Sequence, residues 1–181
     1  MITHKTASLC ANTIKKELKN AFPKTKFSVK SDNFAGGNSL DIKWVDGPTD
    51  DQVNKITKKY QYGHFDGMID CYEYSNNRED IPQAKFVMCS RELSDEIILK
   101  TAKTAKKHYS DLENIEEPQT KEDLSKCFSA FGEYTNWYQL AYKILREIDL
   151  TEATGIISDP EFTGGSMFSG FIITKGETNV L

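Results

Sequence analysis

The sequence predicts an α+β fold: a small, mainly antiparallel sheet packed with helices, followed by a helical segment and a C-terminal β-hairpin. Three observations predict it. Apolar and polar residues alternate through residues 27–31 and 40–45, at Phe27 and Val29 and then at Leu40, Ile42 and Trp44, which is the period of half-buried strands. Helical stripes, with apolar residues three and four apart, follow capping residues such as Ser8, Thr49, Ser94 and Asn136. A short apolar run, Lys85-Phe86-Val87-Met88-Cys89, suits a buried strand and a third place in the sheet.

In chain order, Ser8 caps a first helix with a stripe of Ala11, Ile14, Leu18, Ala21 and Phe22, and Pro23 stops it. Lys15, Lys16 and Lys19 fall outside that stripe, facing water or a polyanion. The two alternating strands pair as a hairpin across Asn33-Phe34-Ala35-Gly36-Gly37-Asn38, whose adjacent glycines supply positive-φ positions. Asp46-Gly47-Pro48 ends the second strand. Thr49 or Asp50 then caps a helix carrying Val53, Ile56 and Tyr60. Residues 62–74 hold aromatics, two glycines and two aspartates with no clear period, so they read as an ordered loop of the kind that carries function. Residues 29–73 are thus the stretch around which the chain is organised, and residues 75–80 form an exposed turn.

The helix after Ser94 has acids in its first turn, a buried face of Ile97, Ile98, Ala102, Ala105 and Tyr109, and a basic face of Lys100, Lys103, Lys106 and Lys107 beside His108. Residues 111–120, acidic and containing Pro118, read as a linker, dividing the chain into an α+β domain of residues 1–110 and an acidic extension of 111–181. Thr120-Lys121-Glu122-Asp123 resembles a capping box opening a helix with Leu124, Cys127, Phe128 and Phe131, interrupted by Gly132. Asn136 starts a longer helix with Trp137, Leu140, Ala141, Ile144, Leu145 and Ile148 on one face. Residues 155–158 and 167–174 read as two short strands, with turns at Asp159-Pro160 and Gly164-Gly165. Strand order is open, and connections of this length do not exclude a mixed sheet.

Composition narrows the function classes. With 38% hydrophobic and 28% charged residues the 181-residue chain is of soluble, globular type. It has no run of about 18 apolar residues, so no membrane partner is expected. Its first residues lack the apolar core of a secretory signal, so a cytoplasmic protein is the expectation. Cys10, Cys71, Cys89 and Cys127 are scattered without a C-x-x-C pair, and reduced thiols rather than a metal site or disulfide frame are expected. Charge is asymmetric: residues 1–60 balance at +5, residues 61–110 at −1 and residues 111–181 at −8. A basic front and an acidic rear fit separate interaction faces, or ordinary solvated surface.

No phosphate-binding, dinucleotide, nucleophile-elbow or zinc-protease motif occurs, and no cofactor is implied. An enzyme would draw on His64 as base, Asp66 or Asp70 to orient it and Cys71 as nucleophile. The spacing does not require this, because such residues in a glycine-containing loop also hydrogen-bond the loop to itself.

Taken together, Ala21-Phe22-Pro23, Lys26-Phe27-Ser28-Val29, Gly36-Gly37-Asn38-Ser39, Asp41-Ile42-Lys43-Trp44, Asp46-Gly47-Pro48-Thr49, Phe65-Asp66-Gly67-Met68 and Tyr72-Glu73-Tyr74 resemble a large polyvalent protein-associated domain, over residues 5–110. Such modules are encoded by phages and conjugative elements. The resemblance implies a mobile-element origin and supplies no catalytic residue. The expected function is non-enzymatic: a protein that binds and inhibits a host defence protein or ribonucleoprotein, such as a CRISPR effector or a restriction enzyme. Its expected contacts are Phe34, Gly36, Gly37, Trp44, His64, Phe65, Asp66, Asp70 and Tyr72, with an acidic set of Glu113, Glu116, Glu117, Glu122 and Asp123. The alternative is a nucleic-acid-binding accessory protein using Lys15, Lys16 and Lys19 of the first helix and Lys100, Lys103, Lys106 and Lys107 of the third.

Overall fold

The computed structural model describes residues 7–146, 148–151, 157–158 and 172–173. The chain is an α+β protein in two units, Met1–Glu92 and Leu93–Leu181, each built round its own buried cluster. The helix after Ser94 therefore belongs to the second unit, whereas the sequence reading places it in the front domain.

In the first unit, α1 (Ala7–Ala21) buries Ala11, Ile14 and Leu18 of the expected stripe and Cys10 beside them, while Ala21, expected in the stripe, is exposed at the helix end. Ser8 is exposed inside the first turn and is not the cap. Strands β1 (Ser28–Phe34) and β2 (Gly37–Val45) pair antiparallel, with Phe34 opposite Gly37, so Ala35 and Gly36 alone make the turn. Of the two adjacent glycines only Gly37 has positive φ, at 146°, which corrects the expectation for both. The chain leaves β2 through Asp46 and Gly47, at φ 54° and 62°. A Cβ on Gly47 would also stand 2.8 Å from the Thr25 hydroxyl. Helix α2 (Asp50–Thr57) starts with a reciprocal cap: the Thr49 hydroxyl accepts from the Gln52 N–H and the Gln52 side chain accepts from the Thr49 N–H. One 3₁₀ turn over Lys58–Tyr60 then carries Tyr60 into the core.

Residues 62–74, expected as a loop, contain a two-stranded ribbon of β3 (His64–Asp66) and β4 (Cys71–Glu73), in register His64 to Glu73, Phe65 to Tyr72 and Asp66 to Cys71. Three-residue strands are too short to print a period. The Asp66 carboxylate accepting from the Met68 N–H, and Asp70 at φ 51°, close the turn between them. Strand β5 (Phe86–Glu92) lies parallel to β2, giving a mixed sheet in the order β1-β2-β5. Residues 46–85 supply the long crossover that parallel pairing needs. Because β5 is an edge strand, it is not the buried run expected of it: Arg91 is its one buried residue, and its guanidinium donates to the Asp46 and Gly47 carbonyls at 3.0 and 3.1 Å.

Alternation along the sheet decides where the core sits. Leu40, Ile42 and Trp44 are at most 2% exposed and share a cluster with α1 and with Val53 of α2. On the opposite parity, Lys30, Asp32 and Phe34 on β1, Lys43 and Val45 on β2, and Met88 and Ser90 on β5 are exposed, Asp41 and Phe86 are half-buried, and Ser39 is buried. The first unit is therefore a two-layer sandwich with one open sheet face.

In the second unit, α3 (Asp95–His108) is capped by the Ser94 hydroxyl, which accepts from the Ile97 N–H. Residues 111–120 are no free linker: Leu112 is fully buried, and the Lys106 ammonium donates to the carbonyls of Leu112, Glu113 and Ile115. The helix expected from Thr120 is a single 3₁₀ turn, Glu122–Ser125, followed by a hairpin of β6 (Cys127–Ala130) and β7 (Glu133–Asn136). Two local causes redirect the chain. The Asp123 carboxylate accepts from the N–H groups of Gln119 and Thr120 and from the Thr120 hydroxyl, so the hydroxyl donates where a capping box needs it to accept. Phe131 and Gly132, at φ 55° and 75°, form the two-residue turn favoured between antiparallel strands. Helix α4 (Trp137–Leu145) follows the Asn136 cap and buries Trp137, Leu140, Ala141, Ile144 and Leu145. Strands β8 (Ile157–Ser158) and β9 (Ile172–Ile173) pair antiparallel, as the tail pattern suggests. The turns expected at Asp159-Pro160 and Gly164-Gly165 lie outside the described residues. Among the described residues no helix is long and apolar enough to cross a membrane.

Replacing Thr49→Ala removes the hydroxyl that accepts from the Gln52 N–H and leaves the backbone N–H bond to the Gln52 side chain, so equilibrium urea unfolding of the variant is expected to show a loss of about 1 kcal/mol.

Candidate functional site: an open aromatic surface

The open sheet face and the β3–β4 ribbon carry a continuous set of rings. Phe34 at the end of β1 stacks on Phe86 of β5, with centroids 6.4 Å apart and planes 23° apart. Phe86 meets Tyr72 of the ribbon edge-on at 5.5 Å. Tyr72 contacts Tyr74 at 5.2 Å and Tyr62 at 5.8 Å, and Tyr62 and Tyr74 lie parallel at 5.6 Å. Phe65 stands directly across the ribbon from Tyr72. Phe34, Phe65 and Tyr74 are 45%, 54% and 66% exposed, so the set ends at solvent and not at the core.

Lys85 joins the two halves. Its ammonium donates to the Gly36 carbonyl at 2.7 Å and lies 5.0 and 5.7 Å from the Tyr72 and Phe86 ring centres. Its backbone N–H donates to the Asn38 side chain at 2.8 Å, and its carbonyl accepts from the Tyr72 hydroxyl at 2.5 Å. The close pass of this side chain explains Gly37, where an added Cβ would fall 2.6 Å from Lys85 Cδ. Burial, then the neighbouring Tyr62 and Tyr74, push the Tyr72 hydroxyl up to about 12, so it stays a neutral donor at physiological pH.

Side-chain amides fix the base of the ribbon. Gln61 accepts from the Val87 N–H and donates to the Gly63 carbonyl. Asn76 donates to the Lys59 and Gln61 carbonyls, and Gln83 to those of Lys59 and Asn76. Gly63 is required for packing: a Cβ there would overlap the Glu73 carbonyl oxygen at 1.9 Å.

Of the expected contacts, Phe34, Gly36, Gly37 and Tyr72 come together here, with Phe65 beside them. Trp44 does not join them. It is 2% exposed, donates to the Pro48 carbonyl at 2.9 Å and belongs to the core. His64 lies on the other face of the ribbon, its Nδ1 3.1 Å from the Ser75 hydroxyl and its Nε2 3.5 Å from Glu73. The aspartates named for it are used elsewhere, Asp66 as the turn's acceptor and Asp70 at the turn's positive φ.

In the second unit, Glu116, Glu117 and Asp123 line a cleft, while Glu113 and Glu122 are exposed outside it. The Lys126 ammonium, then the Thr120 and Gln119 N–H groups, hold the Asp123 carboxyl far below the usual range, so it is an internal acceptor. Of the lysines, Lys15, Lys16, Lys19, Lys103 and Lys107 are exposed. Lys100 pairs with Glu96, and Lys106 is spent on the carbonyls of residues 112–115. Among the described residues no group of three or more His, Cys, Asp or Glu could hold a metal ion.

Lys85, Phe86, Tyr62 and Tyr74 are the members that sequence reasoning missed. Their grouping depends on the parallel β2–β5 register, which no local pattern encodes. The repeated Tyr-x-Tyr spacing at residues 72–74 was the available signal.

A protein-family model described as large polyvalent protein associated domain 29 matches residues 5–110, more than half of the chain. The chain matches no curated protein and no solved structure.

The thiols separate by environment. Cys10 is buried, donates to the Pro82 carbonyl and is pushed up to about 12 by burial, and burial also raises Cys89. Cys71 and Cys127 are exposed. Mass-resolved maleimide labelling of the native protein at pH 7 is therefore expected to modify Cys71 and Cys127 promptly, and Cys10 and Cys89 only after unfolding.

Proposed function

The chain belongs to the large polyvalent protein associated domain 29 family, and we propose from that premise that it is a non-enzymatic accessory protein of a phage or other mobile element that binds and disables a host defence protein. The observation that carries this reading is the open aromatic surface. Tyrosines and phenylalanines are the residues enriched at the centres of protein interfaces, and a contiguous exposed set is atypical of bare surface. Their mutual packing and the Lys85 tether also limit the side-chain freedom that association would cost. Defence factors such as CRISPR effectors and restriction enzymes are the expected partner class for a mobile-element protein, and the reading requires no chemistry from His64, whose ring stands 55% exposed.

A second reading, nucleic-acid binding, is favoured by the exposed lysines, one set on α1 and the pair Lys103 and Lys107 on α3. It has a distinct signature, because phosphate contacts release counterions and affinity then falls steeply with salt.

The test is affinity capture from host lysate with wild-type protein and with Phe34→Ala/Tyr74→Ala. The expected result is a protein or ribonucleoprotein retained by the wild type after nuclease treatment and at raised salt, with retention falling at least about tenfold in the variant, the size of a hot-spot loss. The two residues stand at opposite, exposed ends of the set, so the melting temperature is expected to stay within a few degrees. Recovery of nucleic acid alone, released by salt, would overturn the protein-partner reading.

A further inference from the structure

The second unit contains a cleft of about 230 Å³, lined among others by Ile115, Glu116, Glu117, Phe128 and Trp137. It is smaller than the clefts that hold drug-sized ligands or cofactors, about 300 Å³ and upward. The space matches a single long side chain. Its aromatic part is rigid: the Phe128 and Trp137 rings sit 4.8 Å apart, and Trp137, 2% exposed, is clamped in the core as the first residue of α4. Pro118, buried in the segment that folds back over α3, closes another side.

Charge selects the occupant. The lining carries Glu116 and Glu117 together with Asp123 and Lys126, and the last two neutralise each other at 2.6 Å. Two carboxylates are left over, which favour a cation and repel phosphate. The walls add a third feature. Trp44 in the first unit donates its indole N–H to a carbonyl, whereas the Trp137 indole N–H has no acceptor among the described residues and is not one of the buried side-chain atoms left without a partner. The Trp137 N–H is therefore available to an acceptor that enters the cleft. A metal ion would supply charge but no acceptor and no surface for aromatic rings.

We propose that this cleft binds an arginine residue of a partner polypeptide. A guanidinium stacks on aromatic faces, forms paired hydrogen bonds with carboxylates and remains charged at every physiological pH. The apolar stem of the side chain covers Ile115 and Phe128, and the backbone carbonyl of the same peptide can accept from the Trp137 N–H. The site is independent of the aromatic surface of the first unit, so either can fail without the other.

The test is a titration of the full ¹⁵N-labelled chain with acetyl-Gly-Arg-Gly-amide, followed through the two indole N–H signals. The expected result is a saturable shift of the Trp137 signal with the Trp44 signal unmoved. The citrulline peptide, equal in shape but uncharged, is expected to bind about tenfold or more weakly, the loss that a charge-assisted hydrogen bond predicts. Glu116→Gln/Glu117→Gln is expected to weaken the arginine peptide to a similar degree, whereas Glu113→Gln/Glu122→Gln, acidic residues outside the cleft, leaves it unchanged. Equal binding of the arginine and citrulline peptides would overturn the proposal and mark a neutral apolar groove. Equal weakening by the two double variants would overturn it in favour of diffuse acidity, as would the lack of any Trp137 shift.

Discussion

The arrangement of the first unit rests on what Lys85 does with three of its groups at once. Its N–H, its carbonyl and its ammonium are bonded respectively to Asn38, Tyr72 and Gly36, which belong to the β1–β2 hairpin and to the ribbon, parts of the chain otherwise far apart in sequence. Each such bond contributes about 1 kcal/mol net, and the cation over two rings adds a similar amount. Without them the three-residue strands of the ribbon would be held at their base alone, and a two-stranded ribbon by itself is marginal in water. Lys85 thus converts a weak local hairpin into a fixed wall beside the open sheet face. The amides of Gln61, Asn76 and Gln83 secure the other end of the same wall.

The rest of the unit explains why the sheet face is available at all. Both helices are committed to the opposite side, where Leu40, Ile42 and Trp44 meet Cys10, Ile14, Leu18 and Val53 in one cluster. With the helices placed there, whatever the sequence puts at Phe34, Phe86 and Met88 must face solvent or a partner. Aromatic rings there carry a solvation cost, which burial against the proposed partner would offset. The second unit uses different means: a core of α3 and α4, a hairpin, and a loop folded back by Lys106 and Asp123.

Elements with caps and long periods were legible in the sequence. Thr49, Ser94 and Asn136 begin helices where their side chains predict, and the stripes of α1, α3 and α4 are the buried ones. The strands of the β1–β2 hairpin were legible for the same reason. The ribbon and the β6–β7 hairpin are too brief to show alternation, and the latter turns on Phe131 in a left-handed conformation that phenylalanine seldom adopts. The Thr120 pattern misled because the aspartate, not the threonine, is the acceptor. At the site, Phe34, Gly36, Gly37 and Tyr72 were found through their unusual local chemistry, whereas Lys85 and Phe86 were missed because only the parallel β2–β5 pairing brings them there.

The proposed role, contact rather than catalysis, depends on the aromatic surface being one organised object. The most direct measurement is a nuclear Overhauser comparison of wild type with Lys85→Met, which keeps a flexible stem and removes the charge. The account predicts ring-to-ring contacts between Phe86 and Tyr72 in the wild type, their weakening in the variant, which keeps the backbone bonds to Asn38 and Tyr72, and unchanged contacts between Val29 and Ile42 in the sheet. Undiminished Phe86 to Tyr72 contacts in the variant would contradict it, because the ammonium would then contribute nothing to the placement of the ribbon.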